Sequence, residues 1–364
     1  DVLRGLVILL MTIDHSSDAF NAGRVFTDSA FRYHHEPLPL AQFLTRWITH
    51  VCAPSFVFLA GASLALSVEA RMKRGASPGS IDRHIVARGL FLAALDPVWM
   101  TLAFLGGWSR FLCQVMYAIG MSLVAMALLR RLPSWALVAF SVVAIGTVDF
   151  LVGHAVEHTS MSPSSPPWLV SALVTGGLQG RVIFAYPVLP WLSIMMLGWA
   201  FGRRLARDPS WRPERLLAIV GVVALAIFAG LRGVDGFGNA GLHRDDGSIA
   251  QWLHVSKYPP SVTYVALELG LMALLLAACF WLDRDAVERR WTRVLQTLGE
   301  TSLFYYLLHV HLLMIVSYAL GVHQKLGLKA TYAGAAAIAI ALSIASKRYG
   351  LYKRAHDNLV TRWI

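Results

Sequence analysis

Apolar runs long enough to cross a bilayer recur along the whole chain. Ten stand out, over residues 2–20, 46–69, 83–104, 109–129, 134–154, 185–203, 214–232, 261–283, 297–320 and 328–347. A helix needs about 20 predominantly apolar residues to span. The runs are separated by charged or Gly- and Pro-rich stretches that punctuate helices. The pattern predicts an all-α, polytopic integral membrane protein of about ten transmembrane helices. No soluble domain or low-complexity tract interrupts it, so residues 1–364 read as one transmembrane domain. The first run is not read as a cleavable signal peptide. Its second half carries Asp14, His15 and Asp18, and no small-residue cleavage pattern follows. The chain begins at Asp1 rather than Met, so a short leader is expected before it.

Three connections are long: 21–45, 155–184 and 233–260. Long connections without strong structure of their own are usually functional or disordered. With the amino terminus inside, all three fall on the outer side and cover the outer mouth of the bundle. Within the second, Trp168–Thr175 is apolar but too short to span, and is read as interfacial or re-entrant.

Composition agrees: 56% hydrophobic against 15% charged residues, where soluble proteins carry about 25% charged. A net charge of +11 suggests a nucleic-acid partner, but its distribution argues against one. Of 32 Lys and Arg residues, the same orientation puts 21 in inner segments, among them Arg71, Lys73, Arg74, Arg88, Arg130, Arg131, Arg203, Arg204, Arg207, Lys347 and Arg348. Arg4 lies near the inner end of the first span, and ten are outer. That is the positive-inside asymmetry, which puts both termini in the cytoplasm and makes the lipid bilayer the partner. Cys52, Cys113 and Cys279 all lie in apolar runs without CxxC spacing, so packing roles are expected and no metal site is.

Candidate chemistry begins in the first span. Ionisable residues in a span are costly and are functional candidates by default. Arg4 and His15 are eleven residues apart, about three helical turns, and share a face. Asp18 is one turn beyond His15, within reach of its imidazole, and Asp14 stands directly before it. Of 13 histidines only His84 and His356 fall on the inner side, which places the chemistry towards the outer face. The loop residues His154, His158, His243 and His323 are weaker candidates, since a solvated histidine needs no special explanation. His50 stands ahead of Pro54, which denies it a helical hydrogen-bond partner; it reads equally as a functional group or as an interfacial cap. His309 shares a face with Ser302, Tyr305 and Tyr306; it reads equally as catalytic or as a packing hydrogen bond. Asp96, Gln114 and Glu268 suit pairing between helices. Tyr186–Trp191 and Lys257–Ser261 read as rigid aromatic turns that anchor at the interface, with Lys257 able to bind an anionic group.

Several of these pieces form a resemblance. Asp1-x-Leu3-Arg4-Gly5 followed by His15 resembles the first helix of integral-membrane acyltransferases that decorate bacterial surface sugars. Leu10-Met-Thr-Ile-Asp14-His15, Leu44-Thr-Arg-Trp-Ile-Thr-His50-x-Cys-Ala-Pro54 through Gly61, Tyr186-Pro-Val-Leu-Pro-Trp191 with Gly198, Lys257-Tyr-Pro-Pro-Ser261 and Ser302-Leu-Phe-Tyr-Tyr-Leu-Leu-His309 resemble bacterial relatives of heparan-alpha-glucosaminide N-acetyltransferase. The pieces occur in order over almost the whole chain. The resemblance implies an acetyltransferase that takes acetyl from cytoplasmic acetyl-CoA to an acceptor across the membrane, a sugar or glycan, in the inner membrane of a bacterium. His15 matches the catalytic histidine of the surface-sugar enzymes. In the lysosomal enzyme the proposed catalytic histidine precedes the second span, where this chain has His34 and His35.

On that reading His15 is the general base or a transient acetyl carrier. Asp14 or Asp18 orients its ring, and His50 or His309 stabilises the oxyanion or protonates the leaving thiolate. Arg4, Arg88 and Lys257 are candidate cations for the anionic parts of acetyl-CoA, with Arg71, Lys73 or Arg74 as alternatives to Arg88 for its phosphates. Span counts leave a homo-oligomer open. A second reading is a proton-coupled transporter using the Asp-His pair, although no two-fold internal repeat is evident. A third is a scaffold in which the polar pairs only join helices.

Overall fold

The computed structural model describes residues 1–29, 31, 37–158, 167–283, 290–358, 361 and 363–364. It is mostly helical. Helices α1 (Val2–Phe20), α2 (Leu40–Trp47), α3 (Cys52–Lys73) and α4 (Pro78–Leu95) come first, and α4 continues through a π-helical turn, Asp96–Met100, into α5 (Thr101–Leu105). Strand β1 (Phe111–Cys113), α6 (Val115–Leu129) and α7 (Ser134–His158) follow. Then come α8 (Trp168–Val170), a second π-helical turn, Ser171–Thr175, and the strands β2 (Gly177–Gln179) and β3 (Val182–Phe184). The rest is helical: α9 (Val188–Arg207), α10 (Glu214–Val234), α11 (Ile249–Leu253), α12 (Val262–Asp283), α13 (Arg290–Glu300), α14 (Ser302–Ala319) and α15 (Leu328–Ala355).

Seven helical stretches among the described residues are long and apolar enough to cross a membrane: Leu40–Lys73, Pro78–Leu105, Ser134–His154, Glu214–Val234, Val262–Leu282, Ser302–Ala319 and Leu328–Ala355. The other three expected spans coincide with α1, α6 and α9. However, α6 has only 15 residues, α1 carries Arg4, Asp14 and Asp18, and α9 ends in Arg203, Arg204 and Arg207. Length and apolarity therefore support seven spans and do not establish about ten. Outward-facing apolar rows fit a lipid environment; α10 alone exposes Ile219, Val220, Val222, Val223 and Ile227.

The break expected at Pro54 lies just before it. Residues 48–51 form a turn between α2 and α3, and Pro54 occupies the first turn of α3, where a missing N–H costs nothing. A small three-stranded sheet is an addition to the all-helical expectation. Its order is β1-β3-β2, with β1 parallel and β2 antiparallel to β3. Three-residue strands are too short to show an alternating pattern.

By contacts the chain divides into two compact units. The first comprises Asp1–Val25, Pro37–Cys52 and Ala273–Ile364. In it α1 packs on α13, α14 and α15. The approach to α13 is close enough that a Cβ at Gly5 would overlap the carbonyl oxygen of Leu295, and one at Gly299 that of Asp1. Polar ties then set the register. Thr12 Oγ1 is 2.8 Å from the Tyr305 hydroxyl, Ser16 donates to the Thr331 carbonyl at 2.7 Å, and the link after α14 pairs with Asn21 through Leu326.

The second unit comprises Phe26–Glu36 and Ala53–Met272. Its α3 and α9 touch backbone to backbone: a Cβ at Gly198 would overlap the Phe58 carbonyl, and one at Gly61 the Met195 carbonyl. Beyond α10 the chain is held by Arg232, which is 0% exposed. Its guanidinium donates to the carbonyls of Leu242, Gln251 and His254, each at 2.7 Å, and to Asn239 Oδ1 at 3.0 Å. His254 is buried beside it and donates through Nε2 to the Thr27 carbonyl at 2.8 Å.

Two outcomes are expected. Gly198→Val forces α3 and α9 apart, an overpacking cost of about 1–3 kcal/mol, and lowers the thermal midpoint in detergent. Gly230→Ala, which meets open space, leaves it near wild type. Burial holds the His254 imidazole below its ordinary value of 6.5. The folded segment thus resists a proton that the unfolded chain accepts, so stability is intact above pH 6.5 and declines as pH falls through it. Amide exchange over 235–260 should quicken with that profile, and a His254→Gln variant should lose the dependence.

Candidate active site

The first unit gathers most of the candidate polar groups. His15, on α1, and His309, on α14, meet with Nδ1 of His15 2.7 Å from Nε2 of His309. Their rings stack with centroids 4.9 Å apart. His309 is 0% exposed, whereas His15 is only partly buried. The other side of the His309 ring faces its own helix, with Nδ1 2.8 Å from the Tyr306 carbonyl oxygen and 3.2 Å from that of Tyr305. The face expected from Tyr305, Tyr306 and His309 is thus the one turned to α1.

Asp14 is held by two arginines. Arg46 Nη1 lies 2.6 Å from both carboxylate oxygens. Arg24 donates through Nη2 at 2.8 Å to the carboxylate and through Nη1 at 2.6 Å to the Asp14 carbonyl. Arg24 also lies 3.6 Å from Asp18. Two acids and two bases make a charge-balanced knot that joins the end of α1 to α2 and to residues 21–25. An orienting role for Asp14 on His15 is therefore not what its strongest contacts describe: the partner found at His15 Nδ1 is His309. Arg24 and Arg46 join this site without standing among the residues that the sequence singles out. Arg46 opened an apolar run, and an ionisable residue there is a signal; Arg24 sits in a connection and carries none.

His50 is buried in the turn after α2, 1% exposed. Arg4 lies near the opposite end of α1 from His15, paired with Asp1 at 3.0 Å. The segment holding His34 and His35 lies outside the described residues. His243 is half-exposed, 2.7 Å from the Asp235 carbonyl. His154 stacks on Phe150 and His323 on Tyr318.

The second unit holds the other cations. Arg88 lines a cavity of about 270 Å³ with Ser63, Ser67, Arg71 and His84 on an apolar wall that includes Leu92. Arg71 is 3.1 Å from His84, and the lining runs along the second half of α3 and along α4. Lys257 is buried, 4% exposed, with its ammonium 5.2 Å from the Tyr258 ring. The two aromatic turns meet: Tyr186 packs against Trp191 at 4.7 Å and edge-on to Tyr258 at 5.4 Å. Asp96 is a structural acceptor, taking the backbone N–H groups of Gln114 and Tyr117 at 2.8 and 2.7 Å, so the helix-pairing expectation is met through the start of α6.

A stacked, hydrogen-bonded histidine pair with one member accessible can move a proton to or from a reacting group. A cavity with a guanidinium rim and an apolar wall can hold a phosphate ester on a flexible arm. A search of curated proteins finds no match to the chain. The family described as heparan-alpha-glucosaminide N-acetyltransferase, catalytic, matches residues 1–230, a stretch that includes His15, Arg46, His50, Arg88, Gly198 and both ends of the cavity lining. The chain belongs to that family, and is an acyltransferase-type membrane enzyme.

Proposed function

We propose that the chain is a transmembrane acetyltransferase, one domain over residues 1–364, that moves acetyl from cytoplasmic acetyl-CoA to a saccharide hydroxyl or amine on the far side of the bilayer. The observation that carries this reading is the His15–His309 pair, in a chain whose residues 1–230, His15 among them, match the acetyltransferase family. His15 is the accessible member. It takes the proton of the acceptor hydroxyl or amine, a role worth typically 10²–10⁴-fold in rate. Asp14, clamped by Arg24 and Arg46, holds the end of α1 against α2 and keeps the imidazole in place. His50, buried in the adjoining turn, is proposed to support the oxyanion.

Acetyl-CoA supplies an activated acetyl thioester when bound, and the cavity fits its chemistry. Arg71 and Arg88 suit phosphate oxygens, and Leu64, Val68 and Leu92 suit an apolar arm. At about 270 Å³ it lies just below the about 300–1,000 Å³ range of small-molecule sites, so it would take part of the donor. Arg4 and Lys257 are secondary candidates, Lys257 for an anionic group of the acceptor beside the Tyr186–Tyr258 cluster. The basic asymmetry along the chain supports cytoplasmic termini, and the resemblance to bacterial relatives of the family supports a bacterial inner membrane.

The test is release of CoA by purified protein given acetyl-labelled acetyl-CoA and a panel of amino sugars and glycan fragments. Label should pass to the saccharide, and His15→Ala should lower turnover ~10²–10⁴-fold with folded yield retained. Wild-type turnover in that variant removes His15 from the mechanism. Arg88→Ala should raise the KM for acetyl-CoA about tenfold with kcat little changed, the mark of lost uniform binding. A fall in kcat at unchanged KM would instead place Arg88 at the reacting atoms.

A further inference from the structure

The two histidines are not equivalent, and the hydrogen bonds around them say how. A backbone carbonyl oxygen can only accept. The Nδ1 of His309 faces two of them, Tyr306 at 2.8 Å and Tyr305 at 3.2 Å, so that nitrogen carries the proton. In the neutral ring the lone pair of His309 then lies on Nε2. A bond of 2.7 Å between His309 Nε2 and His15 Nδ1 needs one hydrogen, and only His15 can supply it. His15 Nδ1 is therefore the donor, and the neutral His15 ring carries its lone pair on Nε2.

Exposure divides the roles the same way. His309 is 0% exposed and out of reach of any substrate, whereas His15 is partly exposed. One turn away on both helices, Thr12 Oγ1 and the Tyr305 hydroxyl are 2.8 Å apart, which locks α1 and α14 in the register that the histidine pair needs. Resting on the acetyltransferase reading, we infer that His309 is a positioning residue: it fixes His15 in the Nδ1–H tautomer, so that the His15 Nε2 lone pair takes the acceptor proton. When the acceptor O–H or N–H bond breaks, its proton goes to His15 Nε2. The acceptor's electron pair forms the new bond to the acetyl carbon, the C–S bond breaks, and the sulfur leaves with its electron pair, to be reprotonated from the His15 imidazolium or solvent. Throughout, His15 Nδ1–H keeps donating to His309 Nε2, and no second proton has to move.

The experiment pairs ¹⁵N NMR of histidine-labelled protein in nanodiscs with kinetics. His15 is assigned by comparison with His15→Ala, and the variants are His309→Gln and His309→Leu. In the wild-type protein His15 should show a proton-bearing Nδ1 and a lone-pair Nε2. His309→Gln places a carbonyl oxygen near the former Nε2, and should keep that tautomer and turn over within about tenfold of wild type. His309→Leu should lose the tautomer preference and drop kcat by ~10²-fold or more, with KM for acetyl-CoA unchanged. An Nε2–H tautomer of His15 in the wild-type spectrum overturns the inference, as does wild-type turnover in a folded His309→Leu. A His309→Gln protein that keeps the tautomer yet is as slow as His309→Leu also overturns it, because His309 would then be moving a proton itself. If wild-type protein turns over no acceptor, the acetyltransferase reading fails and the spectrum alone decides the tautomer.

Discussion

A carboxylate cannot remain charged on an apolar helix without compensation, and Asp14 shows what that demands of the chain. Its two oxygens need donors that do not depend on water. They come from Arg46, at 2.6 Å, and Arg24, at 2.8 Å, neither of them on α1. To deliver them the chain must return α2 to the end of α1 and fold residues 21–25 back over Asp14 and Asp18. The constraint that satisfies one charge therefore places α2, and with it the turn that carries His50. Breaking one partner would strand the others, at about 3–5 kcal/mol for a buried pair. Such a knot adds little net stability over an apolar equivalent, but it fixes which segments meet.

The helix approaches follow a different rule. Lipid tails are as apolar as leucine, so close packing and shared hydrogen bonds draw spans together. Gly5 and Gly299 serve α1 and α13, and Gly61 and Gly198 serve α3 and α9, by letting carbonyl oxygens occupy the space of a Cβ. On that base the hydroxyl bonds from Thr12 and Ser16 choose one register among many that would pack.

Much of this was legible in the residues and some was not, for physical reasons. Helix placement follows from local apolarity, so every expected run has a helix, although three of them are too short or too charged to count as spans by length and apolarity. The face of α14 carrying Ser302, Tyr305, Tyr306 and His309 follows from helical periodicity, which is also local. The partners of Asp14 are a matter of which distant segments meet, and no spacing rule connects position 14 to position 46. The same holds for the meeting of His15 with His309, 294 positions apart: each was a candidate, but the pairing is tertiary. The cavity beside Arg88 needs side chains from three helices, and β1, β2 and β3 are too short to leave a pattern.

The choice of a second histidine rather than a carboxylate as the partner of His15 also has a physical basis. Burying an ion pair costs desolvation of both members throughout the cycle. Asp14 and Asp18 already balance Arg24 and Arg46, so a further carboxylate at the ring would leave an excess negative charge in the apolar interior. A neutral imidazole whose Nδ1–H is spent on the carbonyls of its own helix offers a lone pair and no charge. It orients His15 through one neutral hydrogen bond, weaker than a carboxylate's, and on the proposed mechanism the pair is charged only in the interval when His15 holds the acceptor's proton. The arrangement reserves permanent charge for the arginine–aspartate knot, where it joins segments, and on the proposed mechanism gives the ring that takes the acceptor's proton a neutral partner.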